Sequence, residues 1–269
     1  MERELSNKYA ELQESIGKLD DAIVAFSGGI DSALLLKVAH DVLGSKAVAV
    51  TADSPSLPRK ELLETQKLAM DIGASHLVIR TNETENWLYL KNPGNRCYYC
   101  KSELYSKLKT VCASLGISNI LNGTIVDDMN DYRPGLAAAQ EHNVMSPLRD
   151  AGFTKDDVRK LARHLGLSIW DKPSSPCLSS RVPYGHEITL LKLKMIEQAE
   201  EFLRQFGINQ LRVRHFGSVA RIEVNGESRE IISRNCTSIK KKFNEIGFEE
   251  IDVQQFRSGA LNVMLNVHP

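Results

Sequence analysis

The sequence predicts an α/β fold, a doubly wound parallel sheet followed by a second, smaller α/β domain. Three observations lead there. Short apolar runs alternate with stretches of helical periodicity through most of the chain. A glycine turn, Ser27-Gly28-Gly29-Ile30-Asp31-Ser32, joins the first apolar run directly to a helical pattern. Beyond Gly185 the pattern restarts as helix, hairpin, helix and strand. The expected organisation is a sheet domain over 1–185, its first 20 residues an N-terminal helix, and a small domain over 186–269.

In order, Leu5, Tyr9, Leu12, Ile16 and Leu19 recur at steps of four and three, an amphipathic helix packed on the main domain. Ala22–Phe26 is a buried strand, and a helix runs from the glycine turn to about Gly44. A second strand, Ala47–Ala52, is followed by a helix from Pro58 to Ile72, stopped by Gly73, and by a third strand, His76–Ile79. Ile117–Leu121 is the fourth strand, Leu136–His142 a short helix and Val144–Leu148 the last strand of the sheet. Thr154 and Asp157 have capping-box spacing at the start of a helix reaching about Leu165. In the small domain a helix over 187–206 precedes strands Leu211–Phe216 and Val219–Val224, joined by a two-residue turn at Gly217-Ser218. A helix from Ser228 to Ile246 and a strand, Glu250–Gln255, complete a βαβ-like unit.

Composition narrows the function. At 269 residues the chain can bury a full core. Its 34 basic and 34 acidic residues cancel, so no global field recruits nucleic acid or a membrane surface. A local basic patch would still suffice for tRNA. No apolar stretch approaches the ~20 residues of a bilayer span, and the charged start, Met1-Glu2-Arg3-Glu4, lacks a signal-peptide core. A cytoplasmic location is expected. Five cysteines, an odd number, point to metal or catalytic roles before disulfides.

Ligands of such sheets bind beyond the carboxyl ends of the strands, where the glycine turn lies. Two glycines let backbone approach a ligand, and the helix start aims unpaired N–H groups at an anion. Ser27 and Ser32 add hydroxyls. Asp31 conflicts with a phosphate unless a cation such as Mg²⁺ intervenes. Thr51 and Asp53 end the next strand, either against adenine or ribose or in an ordinary turn. No Gly-Lys-Ser/Thr follows, so this is not a Walker loop. The motif resembles the PP-loop of the ATP pyrophosphatase superfamily, whose members cut ATP between its α- and β-phosphates and adenylate a substrate. That resemblance implies ATP contacts from Ala25, Ser27, Gly28, Gly29, Asp31 and Ser32, with Thr51 beside them.

Three further stretches carry chemistry. Cys97 and Cys100 open a helix on one face, a spacing open to a redox pair, zinc, a cluster or chance. Cys112 reads as a buried structural thiol. Asp127, Asp128 and Asp131 share a loop with Arg133; they either hold Mg²⁺, through Asp127 or Asp128, or form a solvated acidic loop. Cys177 lies in a Pro- and Ser-rich loop with Arg181, which favours a thiolate and suits a phosphate. In the hairpin the register sets Arg214 opposite Arg221 and Arg212 opposite Glu223. Facing arginines point to an anion between them, or to an exposed face compensated by Glu223. Arg257-Ser258-Gly259 carries no clear chemistry.

Over nearly its whole length the chain resembles the LarE family of ATP-dependent sulfur-insertion enzymes of nickel-pincer cofactor synthesis. The likeness rests on Ser27–Ser32, Asp131-Tyr132-Arg133-Pro134-Gly135, Cys177-Leu178-Ser179-Ser180-Arg181 with Pro183-Tyr184-Gly185, and Arg212-Val213-Arg214. It implies that ATP adenylates a carboxylate of a pyridinium mononucleotide bearing two of them. A sulfur nucleophile then displaces AMP, and the cycle repeats on the second carboxylate. Ser180, Arg212 and Arg214, with Arg181, would hold the substrate phosphate, and Cys177 would lie at the sulfur-transfer position. One group of the family sacrifices a cysteine sulfur. The other holds a 4Fe-4S cluster on three cysteines, leaving one iron open. Cys97 and Cys100 beside Cys177 resemble the second group. The family also implies a homo-oligomer, with no nucleic acid or membrane partner. Rival readings are a PP-loop tRNA thiolation enzyme, an ammonia-using synthase, and a non-catalytic ATP- or zinc-binding module.

Overall fold

A computed structural model describes residues 1–130 and 133–256. Asp131, Tyr132 and Arg257-Ser258-Gly259 lie outside the described residues. The chain forms two compact units. The first comprises Met1–Glu83 with Asn95–Ser175, the second Thr84–Gly94 with residues 176–256. The division falls between Ser175 and Pro176, where sequence reading put it after Gly185. The reason is local: Tyr89 and Asn92 hydrogen-bond to Ser179, Val182, Pro183 and His186, which draws Thr84–Gly94 into the second unit.

In the first unit α1 (Arg3–Gly17) buries Leu5, Leu12 and Ile16, as its periodicity predicts. β1 (Ala22–Ala25) leads through the glycine turn into α2 (Ile30–Leu43), and β2 (Ala47–Asp53), α3 (Arg59–Ile72) and β3 (Ser75–Arg80) follow. The one-turn α4 (Trp87–Leu90) belongs to the second unit. Next come α5 (Arg96–Leu115), β4 (Ile120–Leu121), α6 (Gly135–Glu141), α7 (Pro147–Asp150) and α8 (Lys155–His164). The sheet has the order β3-β2-β1-β4, all parallel, with Val24 paired to Ala49 on one side and Leu121 on the other. Ala22, Ile23 and Val24 are fully buried, as a strand covered on both faces requires. In α2, Ala33 to Leu36, Val38 and Ala39 are also fully buried, which makes it the central helix.

Two expectations change here. The predicted last strand, Val144–Leu148, is a single parallel bridge between Leu121 and Met145. Pro147 has no N–H to give a ladder and instead opens α7. The fourth strand is likewise only Ile120–Leu121. The Thr154–Asp157 capping box is present, and Gly73 ends α3. The Cys97 and Cys112 patterns form one continuous helix, α5, with Cys112 buried.

In the second unit, α9 (Leu190–Arg204) starts at the Thr189 cap and packs on a sheet of β5 (Leu211–Phe216), β6 (Val219–Val224) and β7 (Glu250–Gln255). The β5–β6 register pairs Arg212 with Glu223 and Arg214 with Arg221, as predicted, and β7 runs parallel to β6. The expected long helix over 228–246 breaks at Asn235 into α10 (Gly226–Arg234) and α11 (Cys236–Ile246). The Asn235 amide donates to the Ile231 carbonyl, 2.8 Å away, and its backbone leaves helical geometry there. Met195, Ala199 and Leu203 of α9 close the core with Val213, Ile222 and Phe243. Among the described residues no helix is long and apolar enough to cross a membrane.

Candidate functional site

In the first unit the candidate site is the turn between β1 and α2. Gly28 has a φ of 72°, and a Cβ there would lie 2.2 Å from Thr65 Oγ1. Both backbone and space therefore demand glycine. Ser32 is buried and closes the turn: its hydroxyl donates to the Gly29 carbonyl at 3.0 Å and accepts from the Ser27 amide at 3.3 Å. Ser27 Oγ lies 3.1 Å from Ser32 Oγ, while Ser27 itself is exposed. Gly29 sits at the cap position with no side chain capping α2. The first N–H groups of α2 are thus available to an anion, with the positive end of the helix dipole behind them. Gly123 was overlooked in the sequence. A Cβ there would stand 2.8 Å from the Ser32 amide, so bare backbone seals this helix start.

Asp31 faces the turn from the first turn of α2. Burial pushes its carboxyl up, and Lys155, 2.8 Å from each oxygen, only partly offsets that. A lysine therefore stands as a cation beside Asp31. Lys155 is itself set by the capping box at Thr154, and its backbone N–H donates to Asp127 Oδ2 at 3.0 Å. Asp128 accepts from the Ile125 amide and pairs with Arg133 at 2.8 Å. Among the described residues no group of three His, Cys, Asp or Glu side chains stands close enough to hold a metal ion. Magnesium commonly rests on one or two carboxylates plus substrate phosphates, a role Asp31 and Asp127 fit only with the nucleotide present.

Ala25 is half-buried at the end of β1. Thr51 is buried, and its hydroxyl donates to the Phe26 carbonyl at 2.7 Å and lies 2.8 Å from His76 Nε2. It ties the strand ends together. Asp53 pairs with Arg59. Cys97 is exposed and Cys100 half-buried in the first turns of α5, beside the helix start. Gly135 packs against that turn, where a Cβ would lie 3.0 Å from Lys101 Cγ and 3.6 Å from the Cys97 carbonyl.

The second unit has a candidate site of its own. Cys177 is half-buried and opens a short 3-10 turn, Leu178–Arg181. Ser180 Oγ donates to the Cys177 carbonyl at 2.7 Å. Arg181 is buried and turned inward: its Nε donates to Glu200 at 2.9 Å and its Nη1 to the carbonyls of Pro176 and Cys177 and to Ser180 Oγ. It braces the loop through the Cys177 carbonyl rather than through the thiol. Arg214, also buried, donates to Glu223 and to the Ser180 carbonyl. Across the hairpin Arg221 takes Asp252 instead. Each of the two facing arginines thus has its own carboxylate, which removes the need for an anion between them.

Arg212 differs. Among the described residues it has no carboxylate partner, and its guanidinium stacks on the Phe256 ring, 4.7 Å from the centroid. Burial, then Arg181 and Arg214 nearby, pull its pKa down to about 10. A cation this crowded by cations is a ready anion site. Sequence reading missed Tyr89, Asn92, Lys155 and Phe256. For Asn92 a signal existed, since the Asn-Pro-Gly turn supplies a left-handed residue, itself buried, whose amide clamps three carbonyls.

No family model matches the chain. It is 44% identical to an uncharacterised protein of Synechocystis, over 97% of this chain and 99% of that one. It is 38% identical to the pyridinium-3,5-bisthiocarboxylic acid mononucleotide synthase of Lactiplantibacillus plantarum, over 96% and 95%. A more distant similarity, 29% identity over 73% of this chain and 42% of the other, is to the glutamine-hydrolysing GMP synthase of Aeropyrum pernix.

Proposed function

The chain belongs to the family of the pyridinium-3,5-bisthiocarboxylic acid mononucleotide synthase, and on that premise we propose that it inserts sulfur into a pyridinium mononucleotide at the expense of ATP. ATP lies with its phosphates on the start of α2. A substrate carboxylate attacks the α-phosphorus, and the bond to the β-phosphate breaks, so pyrophosphate leaves with the electron pair. Sulfide attacks the acyl carbon, the bond to AMP breaks, and a thiocarboxylate remains. A second ATP serves the second carboxylate. The N–H groups of Ile30 and Asp31, with Ser27, favour the pyrophosphate charge as it develops. Lys155 keeps Asp31 from opposing it; Asp31 or Asp127 would hold Mg²⁺ together with the nucleotide's phosphates, where the ion would neutralise phosphate charge.

The observation that carries the reading is Arg212. A half-buried guanidinium beside two buried ones, with no carboxylate of its own among the described residues, is suited to a phosphomonoester. Ser180 and Arg214 complete that site, while Arg181 holds the loop. We assign Cys97, Cys100 and Cys177 to a 4Fe-4S cluster; cysteine thiolates hold such clusters, and when bound this one supplies the sulfide. The exposed and half-buried thiols at the start of α5 fit two of the three ligands. The division of labour is part of the same proposal: the unit of Met1–Glu83 and Asn95–Ser175 serves ATP, and the unit that begins again at Pro176 binds substrate and assembles a cytoplasmic homo-oligomer.

The test is anaerobic incubation with the biscarboxylic mononucleotide, ATP, Mg²⁺ and sulfide, with nucleotides and product read by mass. AMP, pyrophosphate and an oxygen-to-sulfur exchange are expected only when all are present. ADP and phosphate, or an unchanged substrate beside a correctly folded protein, would overturn the proposal. Iron and sulfide measured on the same sample, about four of each per chain for such a cluster, test the cluster separately. Iron-free protein that makes product and loses a cysteine sulfur from its own mass would replace it by a sacrificial Cys177.

A further inference from the structure

Three arginines meet in the second unit, and they are held in two different ways. Arg181 is tied to Glu200 and Arg214 to Glu223, so each of these cations is neutralised where it stands. Arg212 stands opposite Glu223 in the hairpin register, and Glu223 Oε2 is buried with no hydrogen-bond partner among the described residues. A guanidinium and an orphaned carboxylate oxygen on neighbouring strands would be expected to join. They do not. Arg212 lies instead over the ring of Phe256, at 4.7 Å. The Phe256 amide donates to the Val224 carbonyl at 2.9 Å, one residue beyond Glu223 on the same strand, so the ring is anchored just past β7.

We infer that Phe256 is a positioning residue of the anion site: it holds Arg212 by its face, away from Glu223, so that the guanidinium edge stays charged and open to the substrate phosphate. A carboxylate in that position would hold Arg212 equally well but would claim the N–H groups and cancel the charge. An aromatic ring attracts the cation through its quadrupole and accepts no in-plane hydrogen bond. The guanidinium N–H groups lie in the plane, and they are the ones that match a phosphate bidentately. The charged groups around Arg212 are Arg181, Arg214, Glu200 and Glu223. Of these only Glu223 has an unclaimed buried oxygen, and Phe256 keeps Arg212 from it.

The inference rests on Arg212 binding the phosphate, and the test separates the two. Nicotinic acid mononucleotide, a commercially available pyridinium mononucleotide, is titrated by calorimetry into the full-length protein, with its phosphate-free riboside as control. Phe256→Leu keeps an apolar side chain and removes the ring; Phe256→Tyr and Phe256→Trp keep a ring. A cation–π contact of this kind predicts about five- to thirtyfold weaker binding for Phe256→Leu, recovery in both aromatic variants, and no change with the riboside. In an Arg212→Ala background Phe256→Leu should add nothing. If Arg212→Ala weakens binding but Phe256→Leu does not, or if Leu serves as well as Tyr, Phe256 is only packing and the inference fails. If Arg212→Ala binds as wild type does, the phosphate assignment fails first.

Discussion

Gly28→Ala should be among the most damaging small substitutions in the chain. The position has a φ of 72°, and the new methyl carbon would stand 2.2 Å from Thr65 Oγ1 and 3.1 Å from its Cβ. Holding an L-residue in the left-handed region costs roughly 1–2 kcal/mol. Forcing a methyl into a packed site adds about 1–3 kcal/mol. Thr65 cannot easily yield, because it is buried on α3 and its hydroxyl donates to the Glu61 carbonyl at 2.7 Å. The expected loss is about 2–5 kcal/mol, a large share of the ~5–15 kcal/mol of an ordinary domain. Urea unfolding followed by Trp170, in a Trp87→Phe background, reports on the first unit alone, since Trp87 lies in the second. Thr65→Ala should relieve the steric part but not the backbone part. The double variant should then be less destabilised than the sum of the singles by roughly 1–3 kcal/mol. A Gly28→Ala protein within about 0.5 kcal/mol of wild type, or strict additivity with Thr65→Ala, would refute the reasoning.

Asp157→Ala removes the capping box of α8 and the 2.9 Å bridge to Lys8, a loss of about 1–2 kcal/mol near neutrality. Burial raises the Asp157 carboxyl, but hydrogen bonds from Lys8 and Thr154 outweigh it and leave the pKa below the usual value. Its contribution is therefore present above ~3.9, the unfolded pKa, and disappears as pH falls through the lower native value. Urea midpoints of the two proteins should converge there, and a difference that persists in acid would contradict this. Arg212→Ala should abolish the phosphate-dependent part of mononucleotide binding, whereas Arg221→Ala, whose partner is Asp252, should leave affinity within about twofold, as the loss of a surface pair does. Calorimetry decides, and equal losses would return the anion to the space between Arg214 and Arg221. Cys97→Ser should lose bound iron and the visible absorption of a cluster while leaving nucleotide binding intact; retained iron would remove Cys97 from the ligand set.

Elements with continuous or periodic apolar patterning were legible because burial alone fixes them. β1, β2, α2 and the β5–β6 register follow from residue spacing, and the glycine turn from its place between a strand and a helix. The misjudged pieces depend on contacts that no local pattern records. Val144–Leu148 is apolar enough for a strand, yet Pro147 withholds the N–H a ladder needs. Helical periodicity runs through residues 228–246, but one amide, that of Asn235, competes with the backbone. In the site the residue types were readable, whereas their division of labour was not. Arg181, Arg212, Arg214 and Arg221 look alike in the sequence. Only the packing reveals that Glu200, Glu223 and Asp252 claim three of them and a phenylalanine holds the fourth. Lys155 escaped notice because 124 residues separate it from Asp31.

The central claim is that ATP activates a carboxylate as an acyl adenylate before sulfur enters. The direct measurement uses mononucleotide labelled with heavy oxygen in both carboxylates and follows the label after one turnover. Attack by a carboxylate oxygen on the α-phosphorus, then breakage of the carbon–oxygen bond, must leave one labelled oxygen in the phosphate of AMP for each thiocarboxylate formed. Label found in inorganic phosphate, or thiocarboxylate formed with unlabelled AMP, would contradict it.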